Sequence, residues 1–227
     1  MKVNKFISHS TIVLGLLLGL LAGCDGGSEM PAQNMFPWQI SVTADGKSRV
    51  FGITFNQSKL QQAASMLGSD YKIALFGDKD ESLSLEAYFS DVHLGGLSGK
   101  IFLRLQASED ELRGMRARVL KAKPLGRGVV RYTLAEDDLF QAEKRIVVGM
   151  SYVPAVNLDE QTVLARFGEP AERIKLGPSK QHFLYPELGL DLLLDSDGKE
   201  LLQYVAPAGF ARLREPLMRM QQQGKVN

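Results

Sequence analysis

The chain has 227 residues, 44% of them apolar and 23% charged, enough to bury a core in one or two modest domains; this excludes a disordered or low-complexity polymer. Its 27 Lys and Arg nearly cancel 26 Asp and Glu, so there is no global basic field to hold nucleic acid and no acidic excess of a solvating tail.

Lys2 and Lys5 precede an apolar run from Ile12 to Leu21, and Ala22-Gly23 lead to Cys24. A charged start, a short apolar stretch and small residues make residues 1–23 a secretory signal, too short to span a bilayer comfortably. Its end, Leu21-Ala22-Gly23-Cys24, resembles the lipobox of bacterial lipoproteins. That resemblance implies cleavage before Cys24, diacylation of its thiol and acylation of the new N-terminus. Two or more chains give a stable anchor where one is marginal, each buried methylene contributing about 0.8 kcal/mol. Cleavage removes Lys2 and Lys5 and no acid, turning a formal net charge of +1 into −1. Cys24 is the only Cys, so its lipidation leaves no thiol for a disulfide, a nucleophile or a zinc site.

Residues 24–35, with Gly26, Gly27, Ser28 and Pro31, read as a flexible tether, and the body begins near Phe36-Pro37-Trp38. Gln39–Val42 and Arg49–Phe51 flank Asp45-Gly46, the pattern of a β-hairpin. Leu60, Ala63, Ala64 and Leu67 form a helical stripe, with Asn56 or Ser58 able to cap its start and Gly68 its end. Strands are predicted at Tyr71–Phe76, Leu83–Phe89 and Lys100–Leu105, with His93-Leu94-Gly95-Gly96 in the loop before the third. Ser108-Glu109-Asp110-Glu111 is a capping box, and Leu112, Met115, Val119 and Ala122 share one face of a predicted helix over 109–122, which ends by Pro124. Val129–Leu134, Glu136-Asp137-Asp138 and Ile146–Val153 read as strand, acidic helical turn and strand.

Asp159 caps a short helix carrying Val163 and Phe167; Gly168 ends it and Pro170 blocks its continuation. Three runs follow, Gln181–Tyr185, Leu190–Leu194 and Leu201–Val205, the last two joined through Asp197-Gly198, where Gly suits a bulged turn of positive φ. Phe210, Leu213, Leu217 and Met220 predict an amphipathic helix over Arg212–Gln223 despite Pro216, which is tolerable if it opens the helix as its first residue. The fold class expected is α+β: two helix-plus-antiparallel-sheet units, residues 36–107 and 125–210, joined by a helix within 108–124 and followed by a C-terminal helix and tail over 211–227. A true internal repeat is left open, because the spacings within the two units differ.

The segment Leu158-Asp159-Glu160-Gln161-Thr162-Val163-Leu164-Ala165-Arg166-Phe167-Gly168-Glu169-Pro170, with the hairpin through Asp197-Gly198, resembles the SmpA/OmlA domain of BamE-like outer-membrane lipoproteins. That family shows an apolar-Thr-x-x-x-Val-x-x-x-Leu-Gly-x-Pro pattern and then an antiparallel sheet. A similar unit occurs twice in the β-lactamase inhibitor BLIP. The resemblance covers about residues 156–206 and implies a fold that presents a sheet face or loops to other proteins in the cell envelope.

Chemistry is sparse. His93 and His182, the two histidines after the signal, lie too far apart in sequence to form a local ligand motif; His93 near Asp91 reads as plain surface and His182 as a sheet residue. Leu94-Gly95-Gly96-Leu97-Ser98-Gly99-Lys100 lacks the first Gly and the Ser or Thr of a phosphate loop, and it is no nucleophile elbow. Asp195-Ser196-Asp197-Gly198 lacks the first and closing ligands of a calcium loop. Glu136-Asp137-Asp138 reads as a solvated turn. Seven basic residues and no acid between Leu112 and Ala135 are read as a wet helix face or as a surface for phospholipid or an acidic partner.

The function expected is a non-enzymatic envelope lipoprotein, held to the membrane through lipidated Cys24 and serving as a protein–protein interaction module or scaffold, with an envelope protein as partner. No catalytic residue, cofactor, metal or nucleic acid is expected. The inner membrane, facing the periplasm, is favoured over the outer because Asp25 after the lipidated Cys resembles an inner-membrane retention signal. Two alternatives stay open: a periplasmic binder of small molecules or cell-wall fragments, its groove lined by aromatics such as Trp38, Tyr88, Phe102 and Tyr204, and an enzyme with a carboxylate-based site.

Overall fold

The computed structural model describes residues 35–77, 82–126 and 128–224. The expected signal, Cys24 and the tether up to residue 34 lie outside the described residues. The chain is α+β and mostly sheet. Ser41–Val42 (β1), Ser48–Val50 (β2) and Ile53–Thr54 (β3) form a small antiparallel sheet, β1 and β2 turning at the predicted Asp45-Gly46. Leu60–Leu67 (α1) follows, then Tyr71–Gly77 (β4), Leu83–Leu94 (β5), Leu97–Leu105 (β6), Glu109–Ala117 (α2), Lys121–Gly126 (β7), Val129–Thr133 (β8), Glu136–Ala142 (α3) and Val147–Pro154 (β9). The rest is Glu160–Phe167 (α4), Glu172–Leu176 (β10), Lys180–Tyr185 (β11), Leu190–Asp195 (β12), Leu201–Val205 (β13) and Ala211–Gly224 (α5).

Strands β4 to β13 make one ten-stranded sheet in the order β10-β11-β12-β13-β9-β6-β5-β4-β8-β7, antiparallel at every pairing. It runs unbroken across the boundaries expected at residues 107 and 125: β8 pairs back onto β4 and carries β7 outside it, while β9 joins β6 to β13. Side chains alternate between faces. One face carries Leu75, Leu85, Phe89, Ile101, Leu103, Met150, Tyr152, Leu192, Leu202 and Tyr204, all buried in a single core with residues of the small sheet and of α1, α2, α3 and α4. Burying each such side chain stabilises by roughly 1.5–3 kcal/mol.

Several local expectations are corrected. The helix predicted over 109–122 ends at Ala117, because the chain from Lys121 pairs with β8 and the Leu120 amide donates to the Thr133 carbonyl at 2.9 Å. Leu112 and Met115 are buried as the stripe requires, whereas Val119 is half-buried and Ala122 exposed in β7. Neither Asn56 nor Ser58 caps α1: the Lys59 amide donates to the Gln62 side chain at 2.8 Å, and Ser58 Oγ accepts from the Thr54 amide. His93 and Leu94 belong to β5, and Gly95-Gly96, both at positive φ, form the turn into β6. Gly198 is not at positive φ; a side chain there would meet the Asp195 carboxylate at 2.7 Å. Strand β10 has no counterpart in the sequence reading, because Glu172-Arg173-Ile174-Lys175-Leu176 buries only Ile174.

Helix α5 packs on β10, where Phe210 and Leu217 join Ile174 and Leu184 in a second small core. Arg214 reinforces it with a two-pronged contact to Glu172 at 2.7 and 3.1 Å. Pro216 sits inside α5 and not at its start, where it removes one donor of the helical ladder. Met220, expected in the buried stripe, is exposed.

Candidate functional site

Helices and the small sheet cover one face of the large sheet, and α5 covers the β10 end of the other. Between them β4, β5, β6, β9 and β13 present a surface that no described helix or strand covers. Strand register places Lys72, Tyr88, Phe102, Ser151 and Gln203 in one row across five strands of this surface. Tyr88 and Phe102 are half-buried and stack with ring centroids 4.6 Å apart and planes tilted by 27°. Such a pair presents apolar area at low entropic cost and contributes about 0.5–1.5 kcal/mol beyond its burial.

The neighbouring row holds Glu86 opposite Arg104. Ser84 Oγ donates to Glu86 at 2.9 Å, and the Arg104 guanidinium stands 3.7 Å from the same carboxylate. Toward α5 the surface deepens into a groove bordered by Gly149, Val205, Leu213 and Arg212. Lys72, Lys100, Arg104 and Arg212 are exposed around it, and Glu86 is the acid set among them. The surface is therefore aromatic at its centre and positive at its rim, although the body as a whole is nearly neutral.

Apart from Tyr88 and Phe102, the residues singled out from sequence fall elsewhere. His93 and Asp91 are exposed, 3.7 Å apart. His182 is buried in β11, and its Nδ1 lies 2.9 Å from Asp191 of β12, itself 1% exposed; the two meet diagonally across the strands, on the face that α5 covers. Glu136, Asp137 and Asp138 begin α3 and are not all solvated: Asp138 is buried and holds Arg118 at 2.7 Å. Arg116 stacks on the Tyr132 ring at 4.0 Å. Gly95 and Gly96 form a hairpin turn, and Gly99 lies in β6 against Tyr152.

The four aromatics do not share a groove. Tyr88 and Phe102 lie on the open face, whereas Tyr204 is in the core, donating to the Pro37 carbonyl at 3.0 Å. Trp38 stacks on Phe36 and meets Phe167 edge-on. Burial pushes the Tyr204 phenol up, and the Tyr185 phenol up to about 12. The carboxylates that shift all move down. Lys47 lowers Asp45, Arg145 with the Ser108 amide lowers Glu111 to about 2, and Thr162 at the start of α4 lowers Asp159. These shifts, among the described residues, mark structural contacts. Among the described residues no group of three or more His, Cys, Asp or Glu could hold a metal ion, and no helix is long and apolar enough to cross a membrane.

Sequence reasoning places Tyr88 and Phe102 in strands and names them among the aromatics of a candidate groove, but it cannot set them side by side, since the register between β5 and β6 is a long-range property. Alternation in Glu86-Ala87-Tyr88 and in Phe102-Leu103-Arg104 is the available signal. No protein-family model, curated protein or solved structure matches this chain.

Proposed function

We propose that the chain is a membrane-anchored envelope lipoprotein that binds another protein through the open face of its large sheet. The observation that carries this reading is the stacked Tyr88–Phe102 pair at the centre of a face that no described helix or strand covers, with Lys72, Lys100, Arg104 and Arg212 around it. Aromatic anchors inside a polar rim are the composition of an interface hot spot. The lipobox-like end at Cys24 supplies the anchor, Asp25 supports the inner membrane over the outer, and no catalytic residue or cofactor enters the reading.

A BamE-like character for the C-terminal stretch is part of the same proposal. It draws support from α4, capped by Asp159 and ended by Gly168 and Pro170, leading into the antiparallel run β10 to β13.

The test is recovery of co-purifying protein from detergent-solubilised envelopes. Tyr88→Ala with Phe102→Ala should cost a defined partner at least 2 kcal/mol, about thirtyfold in affinity, in a chain that still melts cooperatively, its melting temperature lowered by the lost stack; Arg104→Gln should weaken binding further. Undiminished recovery of every co-purifying protein would remove this face as the binding surface. Cys24→Ala should abolish lipidation; full membrane partition of that variant at high salt would show a different anchor.

A further inference from the structure

We infer that the outer edge of the sheet, β7 with the turn leading into it and β8 behind it, is a second membrane contact that lies on anionic phospholipid. All six residues of β7 are exposed. Leu120, in the turn, is 72% exposed and Leu125 49%, at opposite ends of the strand. Between them stand Lys121 and Lys123, which register opposite Thr133 and Arg131. Lys121, Lys123 and Arg131 form no ion pair among the described residues. Lys123 and Arg131 are like charges directly across a strand pair, which is destabilising in an isolated sheet. The arrangement is tolerable when an anion lies over it.

The chemistry of the edge selects the kind of occupant. An edge strand is a template for another strand, but lysines and a proline blunt it, and β7 carries Lys121, Lys123 and Pro124. Strand addition by a partner protein is thus disfavoured. Two leucines set beside lysines on a strand exposed along its whole length match a flat surface in which apolar side chains enter the headgroup layer while ammonium groups meet phosphate. Glu136 and Asp137 open α3 just beyond β8, outside the run of Leu120, Lys121, Lys123 and Leu125 that meets the lipid. Register sets Lys121, Lys123 and Arg131 on the side of the sheet that carries Phe76 and Lys72, so the contact lies at the outer margin of the open face, two strands or more from the Tyr88–Phe102 stack and without a part in it.

The experiment uses the chain from residue 24 onward with Cys24→Ser, which bears no acyl group, sedimented with vesicles of phosphatidylcholine alone or of phosphatidylcholine with phosphatidylglycerol. Binding is expected on the phosphatidylglycerol vesicles only, falling as salt is raised. Lys121→Glu with Lys123→Glu should weaken it by at least about tenfold. Leu120→Ser with Leu125→Ser should weaken it while leaving the salt dependence in place. Lys72→Glu with Lys100→Glu, on the open face, should leave it intact. Absence of binding, equal binding to neutral vesicles, or binding that the Lys121 and Lys123 variant retains would overturn the inference. So would equal loss from the Lys72 and Lys100 variant, which would mark unspecific charge attraction. If charge reversal lowers the melting temperature, Lys121→Gln with Lys123→Gln replaces it: weakened binding by that variant supports the contact, and undiminished binding overturns it.

Discussion

A carboxylate removed from water needs a donor, and Asp191 has one in His182 at 2.9 Å. Removing one member of a buried pair leaves the other uncompensated, which costs about 3 kcal/mol. For a body of this size that is a fall of roughly 10 °C in Tm. His182→Leu should show this loss in a thermal melt, and His182→Leu with Asp191→Leu should recover a substantial part of it. Equal melting of His182→Leu and the parent chain would mean that the pair carries no stability. Gly189 is set in the same region at φ +71°, and a side chain there would run into the Val205 carbonyl; the turn before β12 depends on having none. The histidine is legible as a strand residue. Its partner is not, because a diagonal neighbour on the next strand leaves no mark in a local pattern.

Helices announce themselves where caps and apolar spacing agree. For α2, Ser108 Oγ accepts from the Glu111 amide and Glu111 accepts from the Ser108 amide at 2.7 Å, as the capping box requires. Glu111 also meets Arg145 at 2.8 Å, a contact 34 residues away in sequence that the motif could not reveal. These contacts lower the Glu111 pKa from 4.5 to about 2. A depressed carboxylate contributes stability above its unfolded pKa and loses it as pH falls through the folded value. Glu111→Gln should therefore flatten the loss of stability between roughly pH 4.5 and 2 in acid denaturation; an unchanged acid limb would show the contact to be inert. The other end of α2 is hidden from local pattern because Val119 and Ala122 continue the helical spacing while β8 offers the same stretch a strand partner. Likewise β10, with one buried side chain, declares itself only once α5 lies on it. Truncation after Pro207 removes Phe210 and Leu217 from that small core and should lower stability by roughly 3–6 kcal/mol, read as a clear drop in Tm. A truncated chain that melts like the parent would mean that α5 is not docked in solution.

At the scale of the molecule, alternating strands and turns point to the α+β class, but the assembly of ten strands into one sheet is beyond local pattern. It rests on β6 pairing with β9 and on β8 returning to β4, contacts that span the division expected near residues 107–125. A continuous sheet over one principal core unfolds as a unit. Far-UV circular dichroism and the fluorescence of Trp38, the sole Trp, should trace coincident denaturant transitions. Two separated transitions would support the expected two-unit division.

The hydrogen bond from the fully buried Tyr204 to the Pro37 carbonyl, with Trp38 clasped between Phe36 and Phe167, fixes the entry of the body to β13, a strand inside the sheet. If Cys24 is held in a bilayer as proposed, mechanical load drawn along the chain arrives there and is shared with β12 and β9. A tug on the leash is then borne by the keel of the fold, and neither exposed edge is unzipped by it.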